Sequence, residues 1–288
     1  MARPLRNRAS LQIIVGVVVL VVAAAVVLGA LQGARSRAGG DGGNGDGGGT
    51  AAPTATATPA PADVSRAVAS VPASVFDAVG IGTTKLAPAK IDAPALTADG
   101  KPQVLYVGGE FCPYCAAQRW PLAVALARFG TFEDLGETTS APSPEVYPGT
   151  ATLSFHGTSF TSDYLEFTAK EIYDRDHQPL DTLTDAEQKV LSTYDAPPYT
   201  QTSGSIPFID FGGGRVIAGA QYDPAVLTGS SHAQIAAALS RPSSPIAQAV
   251  IGSANVLTAA ICEQTKGQPA TVCRSKGVTT AAAAMGTK

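Results

Sequence analysis

The chain has 288 residues, of which 45% are hydrophobic and 15% charged, so it holds enough apolar side chains for one sizeable core. Its formal net charge is −3, and no cluster of Lys and Arg is visible after residue 49, which argues against a nucleic-acid partner. The four cysteines form two local pairs, Cys112 with Cys115 and Cys262 with Cys273.

The N-terminal part of the chain contains an uninterrupted apolar run. Residues 13–31 carry no charged or strongly polar side chain, and as a helix they would rise about 28 Å, close to the hydrocarbon thickness of a bilayer. We therefore predict a transmembrane helix over residues 11–31. The alternative is a cleaved signal peptide, whose apolar region is usually shorter, about 7–15 residues. Three arginines in residues 1–10 against Arg35 and Arg37 after the run favour a cytoplasmic N-terminus and an extracytoplasmic main domain.

The amino-acid composition changes twice after the apolar run. Residues 32–62 are dominated by Gly, Ala, Thr and Pro, which cannot bury apolar surface, so they are predicted to form a disordered linker. The composition then becomes globular, and we predict one domain over residues 63–265 followed by a C-terminal tail over residues 266–288. Two short helices are expected at the start of the domain, over residues 63–70 and 72–79.

A Cys-x-x-Cys motif lies between a short apolar run at residues 104–107 and a helix-patterned segment at residues 112–129. Residues three apart in the first helical turn are neighbours, so the two sulfurs can meet in disulfide geometry. The helix N-terminus stabilises a thiolate. Cys115 precedes Leu122 by seven residues on the apolar stripe and points inward, which leaves Cys112 at the exposed end. The pattern predicts Cys112 as the attacking nucleophile and Cys115 as the resolving thiol.

Other interpretations of the motif remain open from the residues alone. A zinc site needs two further ligands at a similar spacing, and the three histidines, His156, His177 and His232, are isolated in the sequence; no metal site is predicted. Covalent haem needs His directly after the second Cys, where the chain has Ala116, and no other cofactor is expected. A disulfide with a purely structural role is the remaining alternative.

The elements after the motif follow from periodicity and capping signals. They are, in chain order, a strand over residues 151–155, an unassigned segment over residues 164–173, a helix opened by a capping box at residues 184–187, a β-hairpin over residues 205–218, a helix over residues 231–239, and a long helix from Ser244 with Pro245 at its first position.

The motif and the hairpin together carry a resemblance to a known group of proteins. Residues 104–115, VLYVGGEFCPYC, resemble the strand, acidic residue, aromatic residue and Cys-x-x-Cys of thioredoxin-like proteins. Residues 205–219, SIPFIDFGGGRVIAG, are similar to their second half, where a cis-proline opens a β-hairpin that leads to a final helix. With the CAAQRWP of residues 115–121, the chain resembles a poorly characterised prokaryotic family of membrane-tethered thioredoxin-like proteins, over about residues 95–240.

The resemblance implies an α/β, thioredoxin-like fold with a central mixed sheet flanked by helices, an insertion over about residues 138–200 and a C-terminal helical extension. It also implies that the Ile206–Pro207 bond is cis and faces the disulfide, with the carbonyl before the proline free to pair with a substrate backbone. Phe111, which stands where thioredoxins usually have Trp, and Tyr114 would contact the substrate.

The sequence also indicates roles for three further residues near the motif and for the second cysteine pair. Glu110 either opposes thiolate formation or is simply solvated, and Arg119 and Trp120 are expected to serve packing and the surface. Cys262 and Cys273 are predicted to form a structural disulfide that joins the last helix to its tail. A relay disulfide that exchanges electrons with the Cys-x-x-Cys pair is the alternative.

These expectations lead to two hypotheses about function. The first is a membrane-anchored, extracytoplasmic thiol–disulfide oxidoreductase that acts on protein cysteines, contacts the bilayer through its N-terminal helix and works with a membrane-bound redox partner. An even number of paired cysteines fits an oxidising compartment. The second is a non-catalytic thioredoxin-like binding or scaffold module whose disulfide is inert.

Overall fold

The structure is a computed structural model that describes residues 57–286. The predicted transmembrane helix, the cytoplasmic residues before it and the linker as far as residue 56 lie outside the described residues. The described strands are β1 (Thr58–Pro59), β2 (Ala89–Lys90), β3 (Thr97–Ala98), β4 (Lys101–Gly108), β5 (Gly130–Glu133), β6 (Gly136–Thr139), β7 (Ala151–Ser154), β8 (Ser159–Ser162), β9 (Glu166–Glu171), β10 (Phe208–Phe211) and β11 (Arg215–Ala218). The described helices are α1 (Ala62–Ala69), α2 (Ala73–Val79), α3 (Pro113–Leu126), α4 (Asp185–Tyr194), α5 (His232–Leu239), α6 (Pro245–Gln264), α7 (Ala270–Cys273) and α8 (Lys276–Ala284).

The architecture is mixed α/β, built around one mixed sheet. Strand β4 is central: β10 pairs antiparallel along one edge, and β9 pairs parallel along the other. Strand β11 continues the sheet beyond β10, β2 pairs with β11, and β3 forms a short hairpin with the start of β4. Strands β4 and β9 are parallel, so the chain between them must form a crossover connection. Helix α3 is part of this connection.

Alternation along the strands gives the sheet two buried faces. Val104 and Tyr106 of β4 belong to a large apolar cluster with α3 and α6, whereas Leu105 and Val107 face a smaller cluster that includes side chains of α4. Burial on both faces explains why residues 104–107 read as a continuous apolar run.

Several predicted elements have the expected local signals. Helix α4 begins with a complete capping box between Thr184 and Glu187, and α6 begins with Ser244 as N-cap and Pro245 in its first turn. Pro121 lies inside α3 and has no N–H for the carbonyl of Ala117. The Tyr222 hydroxyl donates to that carbonyl instead, at 2.6 Å, so the lost helical hydrogen bond is replaced.

Part of the segment over residues 138–200, which the resemblance implies is an insertion, lies in the central sheet and on its face. Strand β9 pairs with β4 over six residue pairs, and α4 packs on the face of the sheet beside Leu105 and Phe208, so both belong to the central layers. Two small sheets are separate from the central one: β1, β6 and β7 form the first, and β5 and β8 form the second. Most of β9 is partly exposed, which explains why residues 164–173 gave no clear apolar pattern.

Residues 266–288, predicted as a C-terminal tail, contain helices α7 and α8 in the part that the structure describes. Helix α8 packs against α6, with Val278 and Ala281 fully or almost fully buried. Helix α6 is the one helix of the described residues with the length and hydropathy to cross a membrane, but 83% of its apolar window is buried inside the protein. Such burial is typical of a core helix.

Asp210 lies in the middle of β10 and is buried, 1% exposed, on the face covered by α4. Its carboxylate accepts the Gly213 N–H at 2.7 Å in the hairpin turn, but burial outweighs this hydrogen bond and raises its pKa from 3.8 to about 6. The folded state therefore holds the proton more tightly than the unfolded chain, so stability is lost as pH rises from below 3.8 through about 6.

We predict that Asp210→Asn removes this loss, because the amide oxygen still accepts from Gly213 and carries no charge. Denaturant unfolding at pH 8 should show the variant more stable by up to about 3 kcal/mol, and the difference should shrink toward pH 4. The buried Asp195, whose pKa burial also raises to about 6, contributes the same pH dependence of stability to wild type and variant. The difference in stability between the two proteins therefore isolates Asp210. An equal pH dependence in both proteins would contradict the prediction.

Candidate redox site

The two cysteines of the motif lie at the junction between strand β4 and helix α3. Helix α3 begins at Pro113, and Cys112 is its N-cap residue with extended backbone geometry. The Cys112 sulfur accepts the backbone N–H of Cys115 at 3.4 Å. A negative charge on this sulfur would therefore face the unsatisfied N–H groups and the positive end of the helix dipole.

The two thiols have different environments. Cys112 is 7% exposed and Cys115 is fully buried, and both are free thiols in the structure. Hydrogen bonding from the Cys115 thiol lowers the pKa of Cys112, with help from the Cys115 N–H and from the positive charge of Arg119. Burial raises the pKa of Cys115 well above its usual range, and the neighbouring Cys112 raises it further. One sulfur is thus suited to attack and the other to a protonated resting state.

The loop before β10 faces the first of these sulfurs. The Ile206–Pro207 peptide bond is cis, and the Ile206 carbonyl lies 3.9 Å from the Cys112 sulfur, which donates to it. The Pro207 carbonyl is occupied on the other side by the N–H of Gly219 at 2.8 Å. Residues far apart in the chain thereby meet at one end of the sheet.

Phe111 and Tyr114 lie on either side of Cys112. The Phe111 ring is partly buried and contacts His177, with centroids 4.3 Å apart, and the edge of Tyr173 at 6.2 Å. Tyr114 is 44% exposed and meets Tyr147 edge-on at 6.4 Å. Both rings are at least partly exposed and are close to Cys112 in sequence.

Glu110 is not solvated, in contrast to one of the two interpretations of the sequence. Its side chain is fully buried, the Ser154 hydroxyl donates to its carboxylate, and its backbone N–H donates to the Tyr173 carbonyl at 2.9 Å. Burial raises the pKa of Glu110, although the Ser154 hydrogen bond and the charge of Arg119 oppose the rise. The acid belongs to the interior beneath the site.

The sequence predicts packing and surface roles for Arg119 and Trp120, and the structure buries both side chains completely, with Arg119 beneath the cysteines. Its guanidinium donates to both carboxylate oxygens of Glu171 at 2.7 Å and to the Gly109 carbonyl at 2.7 Å. Helical side chains lean toward the helix N-terminus, and Arg119 follows Cys115 by four residues, so its charge is directed back toward the motif. The hydroxyl of buried Tyr106 is close to the same charges and to both thiols.

The sequence contained one signal for this buried ion pair. Helix α3 is apolar almost throughout, yet Gln118 and Arg119 interrupt it, and a helix that is buried all round needs a partner for each polar side chain. The partner of Gln118 is Gln221, at 3.0 Å. The partner of Arg119 comes from β9, 52 residues away, and local pattern does not identify it.

The second cysteine pair is a disulfide, between Cys262 at the end of α6 and Cys273 at the end of α7. The preceding residue of α6, Ile261, is buried, and the following one, Glu263, forms an ion pair with Arg215 at 2.7 Å. Arg215 begins β11 beside the turn of the hairpin, which is the end of the strands opposite to Pro207. This location favours the structural role over the relay.

The three histidines occupy separate environments. His156 contacts Asp181 at 2.9 Å, His177 lies on Phe111, and His232 contacts the carbonyls of Thr138 and Thr152. Across residues 57–286, no group of three or more His, Cys, Asp or Glu side chains is arranged to hold a metal ion.

Comparisons with known proteins give one match. Searches of the curated proteins and of the solved structures found no protein similar to this chain. A family model described as a domain of unknown function matches residues 87–263, which include β4, the Cys-x-x-Cys helix, β9, the hairpin and nearly all of α6. The matched segment covers more than half of the sequence, and the chain therefore belongs to the family called Domain of unknown function (DUF929).

Proposed function

We propose that this protein is a membrane-anchored, extracytoplasmic thiol–disulfide oxidoreductase with a thioredoxin-like fold, which acts on protein cysteines through Cys112 and Cys115. The observation that carries the proposal is the unequal pair of thiols at the start of α3, one at the helix N-terminus beside the Ile206 carbonyl and the other fully buried. An inert structural disulfide has no need of such an inequality.

The topology around the motif supports the thioredoxin-like assignment. A Cys-x-x-Cys near a βαβ unit is typical of thioredoxin-like redox proteins, and here it begins the helix that connects the parallel strands β4 and β9. A cis-proline, an antiparallel hairpin and a helix follow, as the resemblance implies.

The proposed exchange proceeds in two balanced steps. The Cys112 thiolate attacks one sulfur of a substrate disulfide, a new S–S bond forms, and the other substrate sulfur leaves as a thiolate that takes up a proton. Cys115 then loses its proton and attacks the Cys112 sulfur, which releases the second substrate thiolate. The second substrate thiolate also takes up a proton, which balances the one that Cys112 gave up when its thiolate formed. The protein has then lost two electrons and two protons, and the substrate has gained them. The same steps in reverse oxidise a substrate dithiol.

The extracytoplasmic location rests on two features. The apolar run at residues 13–31 has the length of a membrane span, and the Cys262–Cys273 bond is of a kind that persists in oxidising compartments. Among the described residues outside the motif, every cysteine is in that bond, which is the state expected of a domain exposed to such a compartment.

The test is a redox titration of the full-length chain in detergent, equilibrated in graded glutathione and dithiothreitol redox buffers, acid-quenched and alkylated. We expect the Cys112–Cys115 pair to titrate as one two-electron couple between about −120 and −270 mV, the range of known exchangers. The Cys262–Cys273 pair should stay oxidised over this range. A motif pair that stays oxidised under the same conditions would be inert and would refute the oxidoreductase in favour of a binding or scaffold module.

A further inference from the structure

Large exposed apolar side chains are concentrated around the reactive sulfur. In the described part of the chain only four such residues are exposed, Ile81, Tyr114, Val146 and Tyr173, and three of them surround the motif. Tyr114 lies between the two cysteines in sequence, Val146 precedes the Tyr147 that contacts Tyr114, and Tyr173 contacts Phe111. Exposed apolar residues that cluster at one place indicate an interaction surface.

We call this set the apolar rim, and it consists of Phe111, Tyr114, Val146, Tyr147 and Tyr173. Its outer members come from two loops, one between β6 and β7 and one after β9. Both loops are hydrogen-bonded to the backbone just before Cys112: the N–H of Ala141 donates to the Phe111 carbonyl at 2.9 Å, and the N–H of Glu110 donates to the Tyr173 carbonyl at 2.9 Å.

Internal hydrogen bonds hold each loop in shape. In the first, the carbonyl of Tyr147 accepts from the hydroxyls of Ser140 and Thr150 at 3.2 and 2.8 Å. In the second, the buried Asp174 side chain accepts the N–H groups of Asp176 and Gln178, both at 2.8 Å. The backbone of the two loops that carry the rim is thus supported by the fold.

A groove of about 670 Å³ continues from the rim. Tyr114 forms one end of it, Ser205 beside the cis-proline loop lies along it, and its walls include Leu86, Tyr199 and Ala218. None of the residues that line it is charged. A bound segment with charged side chains would lose hydration there without gaining an ionic partner.

The charged groups closest to the rim each have a partner nearby. Glu145 lies 3.9 Å from His177, and Arg175 lies 4.0 Å from Asp176. The Tyr147 hydroxyl bonds to Asp223, which lowers the pKa of that carboxyl after the larger effect of the Ala225 N–H. The rim itself is therefore aromatic and apolar, with Glu145, His177 and Asp223 beside it, and the groove is uncharged.

We infer that the substrates of the proposed oxidoreductase are extended polypeptide segments whose cysteine is flanked by uncharged, apolar residues, bound between the apolar rim and the groove. The inference rests on the proposed function and names its substrate class. A flexible segment can place its neighbouring side chains against both surfaces, whereas glutathione is short and carries two carboxylates that find no cation among the residues lining the groove.

The experiment uses the reduced full-length chain in detergent and three disulfides. The first is a disulfide-linked dimer of a ten-residue peptide whose cysteine is flanked by Val, Tyr and Thr; the second has Asp and Lys at those positions; the third is oxidised glutathione. Stopped-flow rates of exchange should be about tenfold higher for the apolar peptide than for either of the others, as a modest contact free energy gives.

Two variants separate the rim from general effects. Val146→Ser combined with Tyr173→Ser removes exposed side chains of the rim and should reduce the preference for the apolar peptide to about threefold or less. Ile81→Ser is the matched control, since it removes the fourth exposed apolar side chain, which lies in neither the rim nor the groove; it should leave the preference intact.

The outcomes are distinguishable. Equal rates for the two peptides, or an equal effect of the control and the rim variant, would overturn the inference while exchange itself supports the proposed function. Faster exchange with glutathione than with either peptide would also overturn it and would indicate a small-thiol enzyme. No exchange with any of the three disulfides refutes the proposed function and the inference with it.

Discussion

Cys115→Ser is expected to convert the protein into a trap that stays covalently joined to its substrate. The remaining Cys112 thiolate can still attack a disulfide because its stabilising backbone N–H, from residue 115, does not depend on the side chain. Without a second sulfur behind it, the mixed disulfide has no internal route of release. Mass spectrometry after incubation with a peptide disulfide should show one peptide bound at Cys112.

Cys112→Ser is the paired variant, and it should form no adduct. The remaining Cys115 is fully buried, and burial raises its pKa well above the usual range, so it offers neither access nor thiolate. Equal adduct formation in both variants would contradict the assigned roles. In wild type, the alkylation rate of Cys112 should fall about tenfold per pH unit below its lowered pKa, since only the thiolate reacts.

The parts of the fold that were predictable are those whose signals lie close together in sequence. The capping box of Thr184 and Glu187, the Ser244–Pro245 helix start and the Gly-rich turn of the hairpin each involve residues within a few positions of one another, and each is present in the structure. The position of Cys112 at a helix N-terminus follows in the same way from a strand, a Pro at the first helical position and an apolar stripe.

The parts that were not predictable depend on contacts between distant residues. Glu110 and Ser154 are separated by 44 positions, and Arg119 and Glu171 by 52. Strand β9 reads as an ambiguous polar segment, because its place in the sheet comes from pairing with β4 and from covering loops rather than from its own pattern. The interior beneath the two cysteines is formed by these contacts, so the sequence identifies the candidate cysteines but not the charged residues under them.

Those charges bear on the chemistry of the proposed site. An ion pair with 0% exposure on both sides sits in a low-dielectric interior, where its field is weakly screened. Arg119 is the member that lowers the pKa of Cys112, and for Cys115 the effects of Arg119 and Glu171 oppose each other. A cation that favours the Cys112 thiolate stabilises the reduced form, which makes the disulfide form a stronger oxidant.

Arg119→Met combined with Glu171→Met is therefore expected to raise the pKa of Cys112 and to lower the reduction potential. Removing one charge alone would leave an unpaired buried ion, which costs about 3–5 kcal/mol of stability. Removing both charges avoids this cost, so a change in the pKa or in the potential is not confused with unfolding. A pKa rise of about one unit corresponds to about 1.4 kcal/mol, and the same free energy in the two-electron couple is about 30 mV. The two shifts are measured by the pH dependence of alkylation and by redox titration.

Arg128→Met provides the control for this experiment. Arg128 follows the end of α3 that is far from the cysteines. Its guanidinium lies 4.0 Å from the centroid of the Phe76 ring and donates to Asn255 and Thr258. Its loss should therefore lower stability and leave the pKa and the potential of the cysteine pair unchanged. If Arg128→Met shifted the potential as much as the double variant, the shift would report packing of α3 rather than the buried charge. If a folded double variant kept the wild-type pKa and potential, the helix N-terminus and the Cys115 hydrogen bonds alone would account for the thiolate, and Arg119 with Glu171 would serve only to join α3 to β9.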